Sequence, residues 1–279
     1  MTINFHQIAS SLQDERLLFL LQQGCEAAIK AGRILRDLSD NPHHVRLKGA
    51  VDLVTEADLA SEKAIMELFR EKTPEVAILS EESAADFSAN DHAGPCWVID
   101  PLDGTTNYAH GFPWYAVSIA YTEKRCPVIG IVNHVPLDQL FIAVTGHGAW
   151  LNGNRLGVSR ESVLQRSLLA TGFPYDVERL LEPVIGAIRT ILPLCQGLRR
   201  AGAAALDLAL VASGRLDGFW ELNLKPWDTA AGMLLVEEAG GRVSDYQGRP
   251  YSPFTDEIVA TNGLIHGELQ QRLANFSQR

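Results

Sequence analysis

Paired cysteines, a basic surplus and long apolar runs are all missing from this chain, and each absence removes a class of protein. The four cysteines, Cys25, Cys96, Cys126 and Cys195, form no CxxC pair and no zinc spacing. A zinc ribbon or a disulfide framework is therefore not expected, and free thiols in a reducing cytoplasm are. Eight histidines occur without an HxH or HExxH arrangement, which argues against a histidine-rich zinc site. Asp and Glu outnumber Lys and Arg by 34 to 24, a formal net charge of −10. Nucleic acid and anionic membrane surfaces are thus unexpected as general partners. No stretch approaches the ~18 uninterrupted apolar residues of a membrane span. No basic segment followed by an apolar core opens the chain, so a signal peptide is not expected. Repeats, low-complexity tracts and linkers are also missing.

What is present is an ordinary globular composition, with 46% hydrophobic residues in 279. That is enough for a sizeable core, in one domain or in two coupled halves. Apolar residues recur at helical spacing over 14–38, where Leu17, Leu21, Ala28, Ala31 and Leu35 share a face. Residues 41–50 are polar and read as a loop or hairpin edge. A second helix opens at Thr55, a plausible N-cap with Asp58 three residues on, and runs to about Lys72 before Pro74. Strand patterns follow over 76–79, 96–99, 115–121, 128–134 and 140–144, and a hairpin over 146–154. The first half therefore reads as helices packed on a largely antiparallel sheet. The second half alternates: strands over 167–171, 218–222, 243–245 and 258–260, and helices over 177–192, 203–212 and 227–239.

The most informative stretch is Asp100-Pro101-Leu102-Asp103-Gly104-Thr105-Thr106-Asn107, which follows the apolar run Cys96 to Ile99. Two carboxylates three residues apart, where a strand breaks into a glycine turn, offer a site for a hard cation such as Mg²⁺. The Gly-Thr-Thr that follows supplies N–H groups and hydroxyls for an anion. The same residues are also ordinary turn formers. Other carboxylates stand at similar element ends. Glu81 follows a strand, although a solvated loop explains it alone. Asp228 lies in the first turn of a helix, where it also favours the macrodipole. Asp58 has the competing role of completing a capping box.

Four blocks of sequence together resemble the inositol monophosphatase family. Asp100 to Asn107 and Trp227-Asp228-Thr229-Ala230-Ala231-Gly232 look like its two signatures. Ser80-Glu81-Glu82-Ser83 and Asp52-Leu53-Val54-Thr55-Glu56-Ala57-Asp58 match its earlier blocks, in the family's order. The resemblance implies an α+β fold, a layered α-β-α-β-α sandwich of the sugar-phosphatase type, usually homodimeric. Residues 1–279 would form one such domain of two coupled halves, about 1–155 and 156–279. It implies two or three Mg²⁺ ions held by Glu81, Asp100, Asp103, Asp228 and the Leu102 carbonyl, with Asp100 bridging two ions. Thr105 and Asp58 match the pair that orients and activates the attacking water, and Glu81 joins them as a catalytic position. The N–H groups of Gly104 and Thr105 match the phosphate cradle. Gly202, Ala203, Ala204 and Glu221 match the pocket for the alcohol portion. Lys48 lies near a family lysine, and its role stays open. Lithium inhibition is a further expectation.

The implied reaction is Mg²⁺-dependent hydrolysis of a small phosphorylated polyol or sugar, inositol monophosphate first, by direct attack of water. Histidinol phosphate, fructose 1,6-bisphosphate and nucleotide 3′-phosphates are the alternative substrates, and a non-catalytic interaction protein on the same fold is the alternative role. A phosphatase with a nucleophilic aspartate carries D-x-D-G-T, with two carboxylates at i and i+2. Here the spacing is three with a proline between, so the pair is expected in a metal-wrapping turn. A nucleotide-binding P-loop is the weaker alternative, because no GxxxxGK[ST] occurs.

Overall fold

The structure, a computed structural model, describes residue 8 and residues 12–39, 45–47, 53–84 and 94–277. Helix α1 (Glu15–Ser39) buries Leu21, Ala27, Ala28, Ala31 and Leu35 of the stripe that the helical spacing predicts, adds Leu20, and leaves Leu17 partly buried. Strand β1 (Val45–Leu47) pairs antiparallel with β2 (Leu53–Thr55). The rest of the polar 41–50 segment, with Lys48 and the Asp52 of the first family block, lies outside the described residues. Helix α2 (Glu56–Lys72) starts at Thr55, whose side chain accepts from the N–H groups of Ala57 and Asp58 while Asp58 reaches back to the Thr55 N–H. The capping box read from the sequence is therefore formed.

Seven strands build the first sheet in sequence order: β3 (Ala77–Ser80), β4 (Cys96–Asp103), β5 (Ala116–Glu123), β6 (Cys126–His134), β7 (Gln139–Val144), β8 (Gly148–Leu151) and β9 (Asn154–Arg155). Only the β3–β4 pair is parallel. Alternation along the strands sorts the two faces. Trp97, Ile99, Ile119, Ile131 and Ile142 join the cluster beneath α1 and α2. Val98, Ala116, Ala120, Val132 and Ala143 face the middle of the molecule. Small residues on that second face let a helix lie close. A Cβ on Gly130 would stand 2.6 Å from the Ala231 carbonyl oxygen, far inside contact distance.

A short helix α3 (Thr105–Ala109) follows β4. Beyond the first sheet come β10 (Leu168–Thr171), α4 (Val177–Ile191), β11 (Gly197–Arg199), α5 (Ala204–Ala212), β12 (Gly218–Leu222), α6 (Pro226–Glu238), β13 (Arg242–Ser244), β14 (Glu257–Thr261) and α7 (His266–Leu273). The strands form a second sheet in the order β11-β10-β12-β14-β13. α5 and α6 pack on β6 of the first sheet and on β14 of the second. A helix covered on both sides has to be apolar all round, and α5 and α6 are almost entirely buried. α4 and α7 close the far side, where Leu180, Val184, Trp220, Val259 and Leu269 form one cluster. The layers run α-β-α-β-α, as the resemblance implies.

Two helices escape the sequence reading. α3 hides inside the glycine turn, and α7 is polar, HGELQQRL, with only His266, Leu269 and Leu273 buried. The layering brings the ends of β4 and β12 together with the N-termini of α3, α5 and α6. Strand ends and helix N-termini of this kind are where layered α/β proteins place ligands.

Candidate active site

The strand β4 does not stop at Asp100, as the turn reading expects; it continues to Asp103. Its register against β5 shifts, with Asp100 opposite Ser118 and Asp103 opposite Ala116. Three steps on one strand match two on the other, so a bulge inserts one extra residue. The consequence shows in Leu102, which packs beneath α1 and α2 with Ile99 instead of alternating inward. Asp100 and Asp103, at i and i+3, thereby reach the same side. A proline lacks the N–H that a regular ladder needs, and Pro101 sits in this bulge. Asp100 accepts the Leu102 N–H at 2.9 Å. Asp103 accepts the Ala205 N–H at 2.8 Å, at the exposed end of the α5 hydrogen-bond ladder.

Gly104 follows with φ +92°, and a Cβ there would stand 2.9 Å from the Trp114 carbonyl oxygen. No other residue fits that left-handed, crowded position. It turns the chain so that Thr105 opens α3 with its hydroxyl 2.9 Å from Asp58 Oδ1 and 3.0 Å from the Leu102 carbonyl. The other oxygen of Asp58 accepts the Thr55 N–H at 2.8 Å and the Thr55 hydroxyl at 2.5 Å. Asp58 thus holds the capping box with Oδ2 and meets Thr105 with Oδ1. Both readings of this residue apply at once. Asn107 donates to the carbonyls of Trp114 and Ala201, each at 2.8 Å, and so ties the Gly202 turn to the Gly104 turn.

Asp228 also has two faces. Its Oδ2 accepts the Lys225 N–H at 2.6 Å in the first turn of α6, and the residue borders a cavity at the end of β4. That cavity, of ≈ 360 Å³, is lined by Glu81, Asp100, Leu102, Asp103, Thr105 and Asp228 among others. Glu82, the neighbour of Glu81, does not line it. A smaller cavity of ≈ 150 Å³ adjoins it and is bordered by Gly202, Ala203, Ala204 and Glu221. Glu221 lies against Gly172, where a Cβ would fall 2.0 Å from Glu221 Oε2.

The electrostatics of the larger of these two cavities follow from burial. Burial pushes the Asp100 carboxyl well above the usual carboxylate range, and the charges of Glu81, Asp103 and Asp228 push the same way. Asp103 is raised by burial and then by Asp228, against the Ala205 hydrogen bond that favours its ionised form. Glu221 is raised chiefly by burial, then by Asp207 and Asp228. Buried carboxylates that repel one another are stabilised by a bound cation. All donors here are oxygens, which suits Mg²⁺, Mn²⁺ or Ca²⁺ and not a thiol- or imidazole-seeking ion. Among the described residues no group of three or more Asp, Glu, His or Cys side chains is drawn together closely enough to hold a metal ion by itself. Mg²⁺ does not require such a group, since it takes one or two carboxylates and completes its shell with water and substrate oxygens.

A model of the inositol monophosphatase family matches residues 17–279. The chain belongs to the inositol monophosphatase family. An inositol-1-monophosphatase of Synechocystis is 44% identical over 259 residues, 92% of this chain and 90% of that protein. The Nus factor SuhB of Escherichia coli is 42% identical over 92% of this chain and 95% of its own length. The solved inositol monophosphatase of Anabaena (Nostoc) superposes with a TM-score of 0.83 at 40% identity, covering 93% of this chain and 97% of that one. Membership in this metal-dependent family makes the chain a phosphatase, a phosphoric monoester hydrolase.

Within this inositol monophosphatase fold, Glu81, Asp100, Leu102, Asp103, Gly104, Thr105 and Asp228 all border the larger cavity. Gly202, Ala203, Ala204 and Glu221 border the smaller one, and Asp58 stands behind Thr105. Phe173, Arg200 and Asp207 are among the residues that sequence reasoning passed over and that border the smaller cavity. Asp207 had a visible signal, as the single charge in the helix AALDLALVA. Phe173 and Arg200 had none, because loop residues carry no periodicity.

Proposed function

We propose that this family member is a Mg²⁺-dependent phosphomonoesterase that cleaves a small phosphorylated polyol, inositol monophosphate first, by direct attack of water. The observation that carries the proposal is the gathering of Glu81, Asp100, Asp103 and Asp228 around one cavity that Thr105 also borders, with Asp58 hydrogen-bonded behind it. The four carboxylates and the Leu102 carbonyl would hold two or three Mg²⁺ ions. Mg²⁺ bound there supplies charge neutralisation for the phosphate and acidifies a water.

Thr105 has one proton and two acceptors within reach. Donating it to Asp58 leaves the hydroxyl oxygen free to accept from the attacking water. The water proton then moves to Thr105 Oγ1 as the Thr105 proton moves to Asp58 Oδ1. Asp58 stays aimed because Thr55 fixes its other oxygen. The N–H groups of Gly104 and Thr105 hold the phosphate. Glu221 accepts hydroxyl hydrogen bonds from the alcohol portion, beside Gly202, Ala203 and Ala204. A homodimer in the cytoplasm, one domain of two coupled halves, completes the proposal. The family resemblance supports the dimer and the domain, and the unpaired thiols and the charge of −10 support the compartment and the lack of a nucleic-acid or membrane partner.

The test is phosphate release from inositol 1-phosphate, fructose 1,6-bisphosphate, histidinol phosphate and a 3′,5′-nucleotide bisphosphate at matched Mg²⁺. The highest kcat/KM is expected for inositol 1-phosphate; preference for another compound overturns the substrate assignment. The name of the E. coli relative, Nus factor SuhB, favours a second reading, an interaction role on this fold. Folded protein that is silent across the panel supports that reading.

A further inference from the structure

Asp207 is the single charged residue of α5, a helix buried between the two sheets. Its residue exposure is 2%. Oδ1 is buried without a hydrogen-bond partner among the described residues. A carboxylate left so costs folding free energy unless something pairs with it. Arg200 is the nearby cation that favours its charged form, against the larger effect of burial. Its guanidinium, however, lies over the Phe173 ring at 4.8 Å from the centroid and forms no ion pair with Asp207. The α5 dipole favours a carboxylate in the first turn, but that gain does not require burial.

The placement of Asp207 decides between the remaining uses. It borders the smaller cavity together with Gly202, Ala203, Ala204, Glu221 and Arg200. It does not border the larger cavity, where Glu81 and Asp100 lie. Asp103 and Asp228 border both cavities, and Asp207 is close enough to Asp103 to raise its pKa, so Asp207 stands where the proposed metal side opens into the alcohol pocket, away from Glu81 and Asp100. Arg200 at the same cavity opposes a cationic alcohol. Neutral hydroxyl groups, which donate hydrogen bonds without charge, fit two neighbouring carboxyl groups better.

We propose that Asp207 is a specificity-determining residue: with Glu221 it accepts hydrogen bonds from hydroxyl groups on the alcohol portion of the substrate, so that the pocket selects phosphomonoesters of polyols. This rests on the phosphomonoesterase reading and extends it to a residue outside the motifs. A site built to receive hydroxyls discriminates strongly against an analogue without them, because its polar groups are then left unpaired.

The experiment compares two phosphomonoesters of the same ring, inositol 1-phosphate and cyclohexyl phosphate, on the Mg²⁺-loaded protein. For wild type, Asp207→Asn and Asp207→Ala, the ratio of the two kcat/KM values is read. Wild type is expected to favour the inositol ester. The ratio should fall roughly tenfold to a hundredfold in Asp207→Ala, the cost of leaving a buried substrate hydroxyl without its partner, and by less in Asp207→Asn, which keeps one acceptor. A structural role for Asp207 lowers both substrates together and leaves the ratio where it was, which overturns the proposal. Equal treatment of the two esters by wild type overturns it without any variant, so a misfolded variant does not protect it. Silence of folded wild type on both esters instead defeats the phosphomonoesterase reading itself.

Discussion

Neutralising Asp103 is expected to move activity and stability in opposite directions. The carboxyl of Asp103 is raised well above its ordinary range, chiefly by burial and by Asp228. A carboxylate with a raised folded-state pKa supports folding below its ordinary pKa, and that support is lost as pH rises through the raised one. At neutral pH an ionised Asp103 therefore opposes folding of the metal-free protein. Asp103→Asn removes the charge yet keeps an oxygen for the Ala205 N–H, now held at 2.8 Å. A relief of about 1 kcal/mol raises Tm in EDTA by roughly 2–4 °C. The same substitution removes a proposed metal donor, and a loss on the order of 4 kcal/mol in the transition state is ~10³ in kcat/KM. The assays are a thermal melt in EDTA and phosphate release in saturating Mg²⁺. Turnover within threefold of wild type, or a metal-free variant that melts several degrees lower, would refute the reasoning.

Other expectations follow from the same geometry. Glu81→Gln should cost far more turnover than Glu82→Gln, because only Glu81 borders the cavity; steady-state kinetics giving the reverse order would transfer the role to Glu82. Thr105→Val should lower kcat by roughly 10²–10⁴ while Thr105→Ser stays near wild type, and equal losses would show that the hydroxyl is not what matters. His266 is buried, with its ring nitrogens 2.9 Å from the Ser244 and Thr261 hydroxyls. Burial, then the charge of Arg242, lowers its pKa from 6.5 to about 4. The unfolded chain takes up this proton first, so stability should fall as pH drops from 6.5 to about 4, by on the order of 3 kcal/mol. Urea midpoints at pH 7 and 4.5 check this. The pH-dependent loss should shrink in His266→Gln, and an identical loss in that variant would sink the assignment.

The layers were legible in the sequence because they rest on periodicity. The stripe of α1, the capping box at Thr55 and the short apolar runs of β4 to β7 are local patterns that the structure answers with a helix, a helix start and buried strands. The carboxylates were legible for another reason, since four motif blocks in order carry more than any one of them. What the sequence concealed was the bulge in β4. Its spacing of three between Asp100 and Asp103 implies opposite faces of a regular strand, and the turn reading resolved that conflict by ending the strand early. The structure resolves it with one extra residue instead. Asp207 was concealed differently, because a charge in an apolar helix gives no hint of where it points until both sheets are assembled around α5. α7 buries too few residues to leave a helical stripe.

The most direct test of the whole account is the Mg²⁺ dependence of phosphate release from inositol 1-phosphate by the folded wild-type protein. The account predicts turnover that is abolished by EDTA and restored in full by added Mg²⁺. Turnover that continues unchanged in EDTA would contradict the assignment of Glu81, Asp100, Asp103 and Asp228 as the donors of a catalytic metal site.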